Sequence, residues 1–221
     1  MKIALISSIF GGMDAPHNIV EQEGVEYGLF HYTESNSPYP FPNLNDRLKA
    51  KYFKCQSHRI PELMDYDLHC WIDGSVEVVG THMLKDFSQR LIESGADVGI
   101  VAHNMRECIY DEAETIVRSK DPYLTERYKG QFVAEEVDHY RKQGHPEKWG
   151  LFSCGIWIRH NNEKVNGAWD WWWNQCLTWS YLDQTAFPFI MRREGINLVD
   201  LNYGDVMSNE YFKLIPHKKT Q

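Results

Sequence analysis

At 221 residues the chain suits one domain with a sizeable core, and its 43% hydrophobic and 24% charged content is ordinary for a soluble globular protein. Its 23 basic against 31 acidic residues give a net charge of −8, which argues against a general nucleic-acid binder and requires any phosphate ligand to find locally gathered positive charge. Five cysteines without a C-x-x-C pair argue against a disulfide framework or a zinc site and for a reducing, cytoplasmic setting, and no run reaches the roughly 20 apolar residues of a membrane span.

The opening K-I-A-L-I-S is too short and too broken by serine for a signal peptide and reads as a first β-strand. Y-G-L-F-H-Y near residue 29 reads as a second, and 34–46, with three prolines and three asparagines, as loop. A basic stretch follows, R-L-K-A-K-Y-F-K, in which Arg47, Lys51 and Lys54 would share one face of a helix. L-H-C-W-I ends at Asp73-Gly74 as a third strand, and D-V-G-I-V-A near 99 is another. Leu84, Phe87 and Leu91 mark one amphipathic helix, and Ile109, Ala113, Ile116 and Val117 a second. Residues 131–143 and 168–179 also read as helical, with strands near 155 and 198. Runs apolar on both faces, alternating with helices, predict an α/β domain whose mostly parallel central sheet is flanked by helices.

Ligands of open α/β sheets bind beyond the carboxyl ends of strands, where Asp73 and the first loop, S-S-I-F-G-G, both fall. Gly11 and Gly12 permit close backbone approach to a ligand or simply make a turn. Asp73 is a ligand-facing carboxylate or a turn residue. The basic run is a diphosphate clamp or a solvated face. His103 and Arg106 follow the strand near 99 and could meet a ligand, whereas Glu107, Asp111 and Glu112 are accounted for by the start of a helix. Four tryptophans stand within W-D-W-W-W and cannot all face one core stripe; Trp172 and Trp173 are the candidates for stacking on a sugar, unless they form an aromatic core seam. Asp183, with Gln184 beside it, sits in a polar break and could accept a proton from an acceptor hydroxyl.

With these residues in view, the chain resembles the TOD/MUCI glycosyltransferase-like domain family, related to GT-A glycosyltransferases. The matching pieces are I-F-G-G-M-D (9–14), H-R-I-P (58–61) running on to Y-D-L-H-C-W-I-D-G (66–74), H-N-M-R-E-C-I-Y-D-E-A (103–113), H-Y-R-K-Q-G-H-P (139–146), C-G-I-W-I-R-H (154–160), W-W-W-N-Q and L-D-Q-T-A-F (182–187). No single piece is specific; the ordered set is.

The resemblance implies one GT-A-like domain over 1–221, with a donor-binding part over about 1–105 and an acceptor side over about 106–221. It implies transfer of a sugar from a nucleotide-diphosphate sugar, UDP being favoured, to a hydroxyl of a glycan or glycoconjugate. The donor would meet Ser8, Phe10, Gly11, Gly12, Arg47, Lys51, Asp73, Gly74, His103, Arg106 and Lys218. The acceptor would meet Trp172, Trp173 and Gln184, with Asp183 as the base. Asp73 aligns with the first aspartate of the metal-binding Asp-x-Asp of GT-A enzymes, while Ser75 stands in place of the second and is a poorer ligand for Mn²⁺ or Mg²⁺. His217 near the C-terminus is the candidate to complete a metal site. A non-catalytic carbohydrate-binding domain and a nucleotidyltransferase remain as alternatives.

Overall fold

A computed structural model describes residues 1–12, 14, 18–202, 204–205 and 207–215. In chain order the strands are β1 (Lys2–Ser8), β2 (Glu26–Tyr32), β3 (Leu68–Ile72), β4 (Val76–Val78), β5 (Val98–Ala102), β6 (Phe152–His160), β7 (Leu198–Asp200) and β8 (Phe212–Leu214). The helices are α1 (Asp46–Cys55), α2 (Met83–Ser94), α3 (Ile109–Val117), α4 (Pro122–Arg127), α5 (Val133–Lys142), α6 (Glu163–Thr178) and α7 (Asp183–Arg193).

Six strands make the central sheet in the order β2-β1-β3-β6-β5-β7, and β4 pairs with β8 in a separate ribbon. The side-chain period of two sorts each strand between two cores. Ile3 and Leu5 of β1, Leu68, Cys70 and Ile72 of β3, and Ile156 and Ile158 of β6 pack on the α2 side, with Leu84, Phe87 and Leu91. Ala4, Ile6, Trp71 and Trp157 point the other way, into an aromatic core with Phe53, Trp169, Trp172 and Phe187. Both faces are thus covered, as the doubly apolar strand runs require.

The sheet is mostly parallel, as expected, with β6 reversed: it pairs antiparallel with both β3 and β5. The chain leaves β5 at one edge of the sheet, passes through α3, α4 and α5, and enters β6 from that same edge. Helix α6 begins at Glu163, earlier than its aromatic pattern suggested, because Asn162 caps it by accepting from the Val165 N–H at 3.0 Å. Val117 is 57% exposed and does not share the buried face of Ile109 and Ala113.

Candidate functional site

Strand ends and helix starts meet at one edge of the sheet. β1 runs on to Ser8–Phe10, and β3 to Asp73, whose N–H donates to the carbonyl of Gly155 at the start of β6 (2.8 Å). Gly74 lies against Ile9; a Cβ there would come within 2.7 Å of its side chain, so the approach needs glycine. Asn45 caps α1 by accepting from the Leu48 N–H, which turns Arg47, Lys51 and Lys54 toward the same edge. Asp121 and Pro122 start α4, which delivers Tyr123 and Arg127. The first turn of α7 contributes Asp183 and Gln184; Pro188, one turn on, has no N–H to give to the Gln184 carbonyl.

These residues enclose a cavity of about 290 Å³. Four cationic side chains line it, Arg47, Lys51, Lys54 and Arg127, with three carboxylates, Asp14, Asp73 and Asp183. Lys54 sits at its floor. Its side chain is 2% exposed, and its Nζ donates to Asp73 Oδ1 and to Asp183 Oδ2, each at 2.9 Å. The same ammonium lies 5.5 Å from the Trp71 ring centre and 5.9 Å from that of Trp172. Burial works against its charge, but Asp183 and Asp73 outweigh burial and hold the Lys54 pKa above the ordinary lysine value. Lys51 also pairs with Asp183 Oδ2. Burial would raise the Asp183 pKa, yet the two lysines prevail and lower it, so the carboxylate is held ionised and is a weak proton acceptor in this arrangement.

Two buried polar atoms on this wall lack a hydrogen-bond partner among the described residues, Asp183 Oδ1 and Arg127 Nε. The Arg127 guanidinium also donates to the Tyr123 hydroxyl (2.8 Å) and lies over the Tyr123 and Tyr128 rings. Buried groups of this kind are costly unless something completes them.

The expected residues separate into three sets. Ser8, Phe10, Arg47, Lys51, Asp73, Gly74, Asp183 and Gln184 all line the cavity. Gly11 and Gly12 do not: at φ of +68° and +60° they form a left-handed turn, Gly11 packs on Asp46, and its N–H donates to Glu34. His103 lines an adjoining hollow with Ser75 and Gln184, and Arg106 is paired with the buried Glu112 at 2.5 Å. Glu112 stands in the first turn of α3 as expected and in addition holds Arg106, which lines a second hollow beside Asp73, Arg127 and Asp183. Trp172 is fully buried against Trp169 and Phe187, so the expectation of a sugar-stacking face at Trp172 is corrected to the aromatic core seam. Trp173 is half-buried with its ring edge-on to Tyr52 at 5.6 Å, outside the cavity wall. His217 and Lys218 lie outside the described residues.

The carboxylates fit a divalent cation poorly. Mn²⁺ and Mg²⁺ take several oxygen ligands, whereas Asp73 Oδ1 already accepts from Lys54 and, at 2.6 Å, from Trp71 Nε1, and a serine follows at position 75. Among the described residues no group of three or more His, Cys, Asp or Glu side chains could hold a metal ion.

Tyr123, Arg127, Tyr181 and Asp14 were not singled out from the sequence. The Asp-Pro helix start at 121–122, with tyrosine and arginine four residues apart behind it, was the available signal for the first two.

Comparison with known proteins bears on this site. The model of the TOD1/MUCI70, glycosyltransferase-like domain family matches residues 28–203. Among solved structures, similarity is found to a crystal structure of a glycosyltransferase involved in the glycosylation of the major capsid of PBCV-1. That match has 10% identity and a TM-score of 0.41, covering 90% of this chain and 80% of that one. A comparison with curated proteins gives no match. The family match spans most of the sheet, α1, the Asp73 strand end and the first turn of α7, and on it the chain belongs to the TOD1/MUCI70, glycosyltransferase-like domain family.

Proposed function

We propose that the protein is a GT-A-like glycosyltransferase that moves a sugar from a nucleotide-diphosphate sugar, with UDP the favoured nucleotide, to a hydroxyl of a glycan or glycoconjugate. The observation that carries this reading is the gathering of Arg47, Lys51, Lys54 and Arg127 in one cavity at the carboxyl edge of the sheet of an otherwise acidic protein. Breaking the bond from the anomeric carbon to the diphosphate leaves negative charge on the leaving oxygens. Fixed cations aimed at that charge stabilise the transition state, and one well-placed donor is worth about 3–4 kcal/mol. The charge-assisted bonds that guanidinium and ammonium groups make to phosphate suit all four side chains to this task.

Asp183 is the candidate base. In the free protein Lys51 and Lys54 depress its proton affinity. A bound diphosphate that shares those two ammonium groups would weaken their hold on Asp183 Oδ2 and raise its basicity, tying proton acceptance to donor occupancy. The buried Oδ1 has no hydrogen-bond partner among the described residues and so keeps a lone pair for an acceptor hydroxyl that reaches it. Asp183→Asn is expected to lower kcat for transfer by about 10²–10⁴-fold while nucleotide affinity holds, measured by sugar transfer and nucleotide titration side by side. Unchanged transfer would remove Asp183 from the base role.

Trp169 and Trp172 are fully buried while Trp171 and Trp173 are half-buried, so the carbohydrate-binding alternative loses Trp172 of its two candidates. The five cysteines are free and buried, in keeping with a reducing compartment. Among the described residues no helix is long and apolar enough to cross a membrane.

A further inference from the structure

The poor fit of the carboxylates to a divalent cation has a positive counterpart in the same place. We propose that the Lys54 ammonium, fixed between Asp73 and Asp183, takes the part of the metal ion, so that this protein binds the diphosphate of its donor without a divalent cation. The inference rests on the glycosyltransferase reading above.

A metal in such a site would have to be held rigidly by carboxylates, line the nucleotide cavity and present positive charge to phosphate oxygens. Lys54 meets each requirement. Its Nζ is clamped by Asp73 Oδ1 and Asp183 Oδ2 at 2.9 Å each, and two indole faces, those of Trp71 and Trp172, lie within 6 Å. The side chain is 2% exposed, yet Lys54 lines the cavity, so the charge is partly desolvated where a ligand would reach it. Preorganised charge of this kind costs no reorganisation when the anion arrives, and it acts more strongly than charge in open water.

The surroundings agree with a cation that stays. Asp73 is further fixed by the Trp71 indole N–H, which points its Oδ1 at the lysine. Two carboxylates around one ammonium leave a surplus of one negative charge, and Lys51 supplies the second cation on Asp183 that restores balance. A divalent ion on Asp73 Oδ1 would have to displace the Lys54 ammonium from one of its two carboxylate partners in a buried setting, which is costly. Ser75 in place of a second carboxylate then follows from the chemistry. Where a lysine supplies the charge, another carboxylate would only over-neutralise it.

The test is calorimetric titration of the intact protein with UDP, GDP and CDP, in EDTA and in excess Mn²⁺, together with Lys54→Met checked for folding by circular dichroism. The expected result is that one nucleoside diphosphate binds with affinities in EDTA and Mn²⁺ within about threefold, and that Lys54→Met weakens binding in EDTA at least about tenfold. Affinity for that nucleotide that collapses by about tenfold or more in EDTA overturns the inference and leaves the glycosyltransferase reading standing. Binding by a folded Lys54→Met protein equal to that of the natural protein overturns it as well. If no nucleoside diphosphate binds in either condition, the glycosyltransferase reading itself fails, and this inference with it. The comparison of EDTA with Mn²⁺ uses only the natural protein, so it decides the matter even if the variant does not fold.

Discussion

Lys54 and Arg159 are both fully buried cations on the same face of the sheet, at opposite ends of β3, and their surroundings differ in kind. Lys54 is held by two carboxylates beside an open cavity, and its charge is favoured. Among the described residues no carboxylate pairs with the Arg159 guanidinium. Its NH groups donate to the His160 carbonyl (3.1 Å), Asn166 Oδ1 (2.6 Å) and Ser57 Oγ (3.2 Å), and its plane lies 4.9 Å from the Trp169 ring centre. Burial pushes the Arg159 pKa down to about 9. The neighbouring His58 and His69 are also pushed down by burial and then by Arg159, so they bond as neutral rings. A cation with neutral partners ties strands to helices and has nothing to exchange. One with anionic partners at a cavity can share its charge with an incoming anion. The contrast separates a structural centre from the candidate site on physical grounds.

Breaking the structural centre should have the largest effect on stability. Arg159→Leu removes the buried guanidinium that donates to half-buried Asn166 and buried Ser57 and is expected to cost about 3 kcal/mol in urea unfolding, with nucleotide affinity of the folded protein unchanged. A cost below about 1 kcal/mol would erase the distinction between the two ends of β3.

A gentler probe is Glu136, a third buried ionisable group whose partners are neutral. It accepts from the hydroxyls of Tyr140 (2.9 Å), Ser180 (2.5 Å) and Thr185 (3.1 Å). Burial outweighs these bonds and pushes its pKa up to about 8. An acid with a raised folded-state value keeps its proton in the fold while the unfolded chain has lost it. Its contribution is therefore full below the ordinary glutamate value and is lost as pH rises toward 8. The melting temperature should fall by about 10 °C across that window, and Glu136→Gln should flatten the profile. A variant whose profile matches that of the natural protein would show that Glu136 is ionised in the fold.

Much of the fold was legible in the sequence because β1, β3, β5 and β6 are apolar on both faces and stand out at strand length. The direction of β6 was not, since an apolar run reads the same whichever way it enters the sheet. Helix α4 escaped because it is only one and a half turns long and buries no side chain fully. At the site, the strand-end rule led to Asp73, and helical spacing led to Arg47, Lys51 and Lys54. Their assembly was out of reach of local pattern. Lys54 meets Asp73 across 19 positions and Asp183 across 129, and only the docking of α1 and α7 on the sheet edge joins them. The tryptophans misled for a related reason. Spacing showed that they could not all face one core stripe, but not which two would be buried.

The central claim is that the cavity at this edge recognises a nucleoside diphosphate. Its most direct test is titration of the natural protein and of Arg127→Leu with UDP, GDP, CDP and their monophosphates, each with and without Mn²⁺. The account predicts that at least one diphosphate binds the natural protein at least about tenfold tighter than its own monophosphate, and that Arg127→Leu removes most of that difference. Diphosphate and monophosphate binding alike, or neither binding to a folded protein in either condition, would contradict it.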